Sequence, residues 1–371
     1  MAADVLSRRE LNRATLERQL LLRRWSVPVA EALERVVGMQ AQAPNPPYFG
    51  LWARLEGFHQ DDLIKLVQER EVVRIALMRS TIHLVTAGDC LFLRPLVQVM
   101  HERGFGSGYR KLADGLDVAA VAAAGRTLVE AKPMTFAELG EQLAQRFAGR
   151  DPHMLAMVVR TWVPLVQVPP RGLWGFSGQA AHTSAEQWLG RALRTDAGGQ
   201  ELILRYLAGF GPASVRDVQT WAGVTRLKEP MEQLRPRLRV FRDEQGVELF
   251  DLPEAPRPSA DVTAPARFVA EFENMLLSYA DRSRIISEEH RKRIFTPNGL
   301  IPGTFLLDGF VAGTWRLQRQ RDESVLQVSP FGRLSKADRA ALQAEGLKLL
   351  AFAAPETDHD IRFEPAAGRA A

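Results

Sequence analysis

The sequence predicts an α+β fold in which tandem winged-helix units, each a group of helices closed by a short strand pair, lead into a C-terminal, β-rich, barrel-like domain. Two observations predict it. Successive segments repeat one plan of helices followed by paired strands, the mark of duplication and stacking. Then the Pro-rich stretch Pro253-Glu254-Ala255-Pro256-Arg257-Pro258 reads as a linker into a region dominated by strand signals. The resulting units are 1–88, 89–190, 191–253 and 254–371.

The first unit opens with an Arg-rich helix from Arg8 to Trp25, followed by Ser26 as N-cap of a helix from Val27 to about Gly38. Gln40-Ala41-Gln42 comes next, and the proline run Ala43-Pro44-Asn45-Pro46-Pro47 is expected to hold this segment out of helical geometry. Helices near Gly50 to Leu55 and Asp61 to Gln68 precede a strand pair, Val72 to Met78 and Thr81 to Val85. In the second unit a helix from Val118 to Glu130 leads to Thr135, whose capping box with Glu138 starts a helix through Phe147. A third helix runs from His153 toward Val163, and Leu165 to Val168, a turn at Pro169-Pro170-Arg171-Gly172 and Leu173 to Phe176 form the wing. The clearest unit is the third. A helix ends at Gly211-Pro212, Ser214 caps the next through Trp221, Gly223 turns the chain, and Leu227 to Leu234 is followed by the hairpin Leu238 to Arg242 and Val247 to Phe250. Beyond the linker, strands are expected at Arg267 to Phe272, Gly303 to Leu307, Gly309 to Leu317 and Ser324 to Val328. Turns fall at Pro297-Asn298-Gly299 and Leu307-Asp308-Gly309, with a closing helix from Lys336 to Phe352.

At 371 residues, 46% hydrophobic and 25% charged, the composition is that of an ordinary globular protein. Apolar runs such as 158–168 are broken by Arg160, Pro164 and Gln167, well short of the roughly 20 residues of a membrane span. The N-terminus lacks an apolar signal core, and Cys90 is the sole cysteine, so a cytoplasmic location without disulfides is expected. Net charge is +4, and of 48 Lys and Arg only seven are Lys, leaving 41 Arg. Arginine makes bidentate contacts to phosphate, although a GC-rich genome would give the same excess.

The chemistry in the chain is mostly absence. The seven histidines show no pairing at helical spacing, so neither a metal nor any other cofactor is indicated, and no Walker sequence is present. Gly104-Phe105-Gly106-Ser107-Gly108 reads as a connector which, with Tyr109, Arg110 and Lys111, could hold a phosphate. Asp281-Arg282-Ser283-Arg284 and His290 to Arg293 are basic enough for phosphate contact or are simply a solvated face. Trp174, Trp221 and Trp315 fall where core anchors belong.

The chain resembles the AlkZ-like winged-helix DNA glycosylases, found as self-resistance proteins in bacteria that make DNA-alkylating antibiotics. The resemblance rests on several blocks. They are Leu6 to Leu11, Gly38-Met39-Gln40-Ala41-Gln42-Ala43-Pro44 with Tyr48 to Trp52, Arg79-Ser80-Thr81-Ile82-His83-Leu84, Phe272 to Arg282 and Asp308 to Arg316. It implies a C-shaped array of the winged-helix units and a catalytic glutamine, apolar residue, glutamine motif, which falls on Gln40, Ala41 and Gln42. It further implies removal of N7-alkylated guanines, some within interstrand crosslinks. A glutamine rather than an aspartate at the third motif position resembles the resistance-type branch.

The residues suit that chemistry, because a cationic N7-alkylguanine leaves as a neutral base and needs no strong general acid. Two amides can place water below C1′ and tolerate a developing oxocarbenium. Candidate DNA contacts are Arg8, Arg9, Tyr109, Arg110, Lys111, Arg171, Arg282 and Arg284. The expected partner is duplex DNA carrying alkylated purines, bound by a monomer. A non-enzymatic winged-helix regulator or a drug-sequestering protein is the competing reading.

Overall fold

The computed structural model describes residues 4–295 and 299–365. Its three sheets are held together by helices, and the smallest of them brings together strands from distant parts of the chain. The central sheet runs in the order Met39–Gln40, Ile82–Thr86, Val72–Ala76, Leu165–Gln167, His182–Ser184, antiparallel throughout. Its hairpin, Val72–Ala76 with Ile82–Thr86, is buried on both faces. Alternation divides the side chains: Val72 and Leu84 join one core, whereas Val73, Ile75 and Val85 join another beneath the helices Gly199–Phe210 and Val215–Ala222.

The strand that pairs with Leu165–Gln167 is His182–Ser184, not the expected 173–176. Residues 173–176 form turns in which Gly175 takes a positive φ, so alternation there has no ladder to join. Three helices, Val118–Ala131, Phe136–Arg146 and Pro152–Trp162, bury their own core beside this sheet, and the Thr135–Glu138 capping box is present. The third unit follows its expected pattern closely. Ser214 caps Val215–Ala222, Gly223 closes it in the left-handed region, and Arg239–Asp243 pairs with Glu248–Asp251. The N-terminal strand Asp4–Leu6 adds to this hairpin in parallel, an element with no local signal in the chain.

Several boundaries move for identifiable reasons. The first helix stops at Arg18 and Leu20 turns left-handed, while the next starts at Val29 behind Pro28 rather than at a Ser26 cap. The Gln40–Gln42 segment stays out of helical geometry as expected, but Pro46 and Pro47 themselves begin a helix, Pro46–Arg54, where their missing N–H groups cost nothing. The glycine run 104–108 lies inside the helix Gln98–Tyr109, so it offers no phosphate-binding nest.

The C-terminal domain is not a barrel. It is one open five-stranded sheet in the order Asp358–Phe363, Glu323–Pro330, Phe310–Arg319, Gly303–Leu307, Arg267–Val269. The edge strand Arg267–Val269 is only three residues long. At the other edge Asp358–Phe363 adds in parallel after the helix Lys336–Ala353, which packs on the sheet. The turn expected at Pro297-Asn298-Gly299 begins outside the described residues. This sheet shares its core with the first unit, where Phe49 meets Trp315 at 5.5 Å and Phe352 at 6.0 Å. The glutamine segment therefore lies at the edge of the central sheet that meets the C-terminal region.

Candidate active site

Gly38 sets the direction of the glutamine segment. It leaves the helix Val29–Arg35 with φ +75°, and a Cβ there would stand 2.4 Å from Val85 Cγ1. The chain can then pair Met39–Gln40 with the hairpin, Gln40 opposite His83. The free edge of this two-residue strand is closed by Asn274, which accepts from the Gln40 N–H at 3.1 Å and donates to the Gly38 carbonyl. One side chain thus substitutes for a neighbouring strand.

The two amides differ in burial but converge on one loop. Gln40 is buried and its Oε1 accepts from the Arg79 guanidinium at 3.1 Å; Gln42 is exposed and its Oε1 accepts from the Ile82 N–H at 3.2 Å. Both partners are obligate donors, so the orientation of each amide is fixed: the carbonyl faces the hairpin loop and the NH2 group faces away from that donor. Each carbonyl retains a second lone pair. Between them, Ala41 is buried and Arg74 donates to its carbonyl at 2.6 Å.

Arg79 and Ser80 both have positive φ, at 56° and 60°. That turn directs the Arg79 guanidinium to Gln40 and to the Trp221 carbonyl at 2.8 Å. Burial lowers its pKa to about 10, helped by Arg282, so it stays charged at neutral pH. Arg160 donates to the Ser80 carbonyl at 2.9 Å. Among the described residues, Arg79, Arg160, Arg171 and Arg282 are half-buried cations with no carboxylate in ion-pair range. Behind the loop, His83 and His101 are pushed down to about 3, chiefly by burial and then by the neighbouring arginines. Each has a buried Nε2 without a partner, as befits a neutral ring. The hairpin mouth is electropositive.

The other sequence candidates divide. Arg171 is near, because Tyr48 Oη donates to the Gly172 carbonyl at 3.0 Å and Arg171 acts on Arg74. Arg282 is near through its influence on Arg79, and it stacks 4.5 Å over Phe295. Arg9 is bound to Asp308, and Arg284 is buried, donating to the Pro212 carbonyl at 2.8 Å, so neither guanidinium is free for a phosphate. Arg8 lines a separate cleft with Arg216 and Gln245. Tyr109 bonds His153 at 3.0 Å, and Arg110 and Lys111 are exposed at the end of their helix, with no bond to the glutamine segment. Much of the arginine excess is internal: Arg18 pairs with Asp251 at 2.7 Å and Arg54 with Glu273 at 2.7 Å, both pairs buried.

Sequence reasoning gave no role to Arg74, Arg79, Asn274 or Glu271, the last three residues before Asn274 in the same turn. Arg79 and Asn274 stood inside blocks of family resemblance, which was the available signal.

The chain matches the family model described as DNA glycosylase AlkZ-like over residues 33–352. It is 22% identical over 367 residues to an "Interstrand DNA cross-link repair glycosylase" of Streptomyces sahachiroi, covering 89% of this chain and 92% of that one. It is also similar to the solved structure of "Streptomyces sahachiroi DNA glycosylase AlkZ", with a TM-score of 0.81, 19% identity, and coverage of 97% of this chain and 100% of the other. A family match across most of the chain, on the α+β fold and around the glutamine segment, places this protein in the AlkZ-like DNA glycosylase family.

Proposed function

We propose that this glycosylase hydrolyses the N-glycosidic bond of cationic N7-alkylguanine, with N3-alkyladenine as a second substrate and unhooking of interstrand crosslinks as a role in self-resistance. The carrying observation is the pair of amides fixed on one electropositive loop without a partner carboxylate. An alkylated N7 already carries the positive charge that a general acid would otherwise supply. Water can be oriented by the second lone pairs of Gln40 and Gln42 Oε1, and the amide dipoles tolerate positive charge developing at C1′.

The bonding of the carboxylates near the motif supports the same reading. Glu273, next to Asn274, is neutralised by Arg54, and Glu34 is turned to Thr86, whose hydroxyl donates to it at 3.3 Å. No lysine is bonded to the segment, so the product is an intact abasic strand rather than a Schiff-base adduct. The unit 191–253, helices plus hairpin, is read as a winged helix on the DNA, and the cations around the hairpin as its phosphate contacts.

The test is incubation with duplexes carrying N7-methylguanine, N3-methyladenine, uracil or hypoxanthine, then hot alkali to cut at abasic sites. Cleavage is expected only with the two cationic purines. Comparable cleavage at the neutral bases would show that an acid reaches the site, and none at all would favour a binding protein.

A further inference from the structure

A cleft of about 410 Å³ opens between the segment that follows Gln42 and the C-terminal sheet. Its volume falls within the roughly 300–1,000 Å³ of small-ligand sites. Ala43, Pro44 and Asn45 form one wall, and Phe49, Trp315 and Glu271 line it from other directions. The cleft borders the motif at two points: Ala43 follows Gln42 directly, and Glu271 is three residues from Asn274, whose side chain holds Gln40.

Its aromatic wall is preorganised: Phe49 is half-buried, and Trp315, 7% exposed, shows the cleft only an edge. Trp315 Nε1 donates to the Val269 carbonyl at 2.9 Å, and Gly303 lies flat against the indole, where a Cβ would stand 2.7 Å from the ring. Phe49 meets the same indole edge-on at 5.5 Å. Glu271 is the unusual member. It is exposed to solvent, yet partial desolvation by the cleft raises its carboxyl, and it has no hydrogen-bond or ion-pair partner among the described residues. Asn45 also carries a buried Oδ1 with no partner. An unpaired carboxylate beside fixed aromatic rings suits a flat organic cation, through Coulomb attraction and cation–π contact.

We propose that this cleft receives the purine of a monoadduct turned out of the helix, with its cationic ring against Phe49 and the exposed edge of Trp315 and the Glu271 carboxylate facing its charge. Arg316 and Arg319 also line the cleft, but each guanidinium is engaged within the protein, Arg316 with Gln327 Oε1 and Arg319 with the Ala353 carbonyl at 2.6 Å. The inference rests on the glycosylase reading for its choice of ligand, but binding can be measured apart from excision. Glu271 selects for charge by electrostatics; it transfers no proton.

Calorimetric titration of the whole protein with 7-methylguanosine and with guanosine supplies the test. The parent protein and a Gln40→Ala/Gln42→Ala variant should both bind 7-methylguanosine about tenfold more tightly, an ordinary worth for one charge contact. Glu271→Gln, which removes charge from a side chain that has no partner to lose, should abolish the preference and leave Tm unchanged. Equal or absent binding of the two nucleosides by the parent, or a preference that survives Glu271→Gln, overturns the proposal. A Glu271-dependent preference without any base excision would leave the cleft standing and remove the glycosylase chemistry proposed above; excision without the preference would do the reverse.

Discussion

Arg79 is bonded to Gln40 by geometry that a lysine or glutamine cannot reproduce, since one guanidinium spans Gln40 Oε1 and the Trp221 carbonyl. Arg79→Gln should lower single-turnover excision about tenfold, the order expected when an orienting group is lost, while the Kd for DNA changes little. A large change in Kd at an unchanged rate would instead make Arg79 a phosphate contact. The histidines predict an acid limit. His83 and His101 at about 3 and His182 at about 4 are depressed below an ordinary 6.5, mainly by burial. The stability they contribute as neutral rings is present above pH 6.5 and is lost as pH falls through the window down to their folded values. At pH 5 each should cost about 2 kcal/mol relative to pH 7. Urea midpoints between pH 7 and 4.5 would show the decline, and His83→Gln should flatten it; a midpoint independent of pH would contradict the burial of neutral imidazoles.

Among the elements, the strand Met39–Gln40 depends most on a distant partner. Asn274→Ala would leave the buried Gln40 N–H and Gly38 carbonyl unpaired, costing about 1–3 kcal/mol, and would loosen the amide that Arg79 holds. Excision should fall more than DNA affinity, and a variant with full activity would show that the clamp is only structural. Elements defined by local signals were legible in the sequence: the Ser214 and Thr135 caps, the Gly223 stop and the hairpin ending at Asp251. Those defined by tertiary pairing were not. Asp4–Leu6 pairs with Phe241–Asp243 and His182–Ser184 replaces the expected wing strand, and neither choice has a local determinant. The glutamine pair could be found in the sequence through its family resemblance, but Asn274 reaches it from more than 200 residues away.

At the scale of the molecule, the arginine excess divides into a buried set that ties the units together and a smaller set without carboxylate partners. Arg18 and Arg54 join the first unit to the third unit and the C-terminal sheet through Asp251 and Glu273. Arg79, Arg160, Arg171 and Arg282 remain around the hairpin. If those four meet phosphates, affinity should fall on the order of a hundredfold between 50 and 200 mM salt, whatever the duplex sequence. One strongly preferred palindrome would point to a regulator. The central claim is that two oriented amides, without a general acid, carry the hydrolysis of a cationic nucleoside. It is tested most directly by the single-turnover rate of N7-methylguanine excision by Gln40→Ala/Gln42→Ala, at saturating protein and with DNA binding measured alongside. A loss of at least about tenfold with binding retained is predicted; excision at the parental rate would remove the pair from the mechanism.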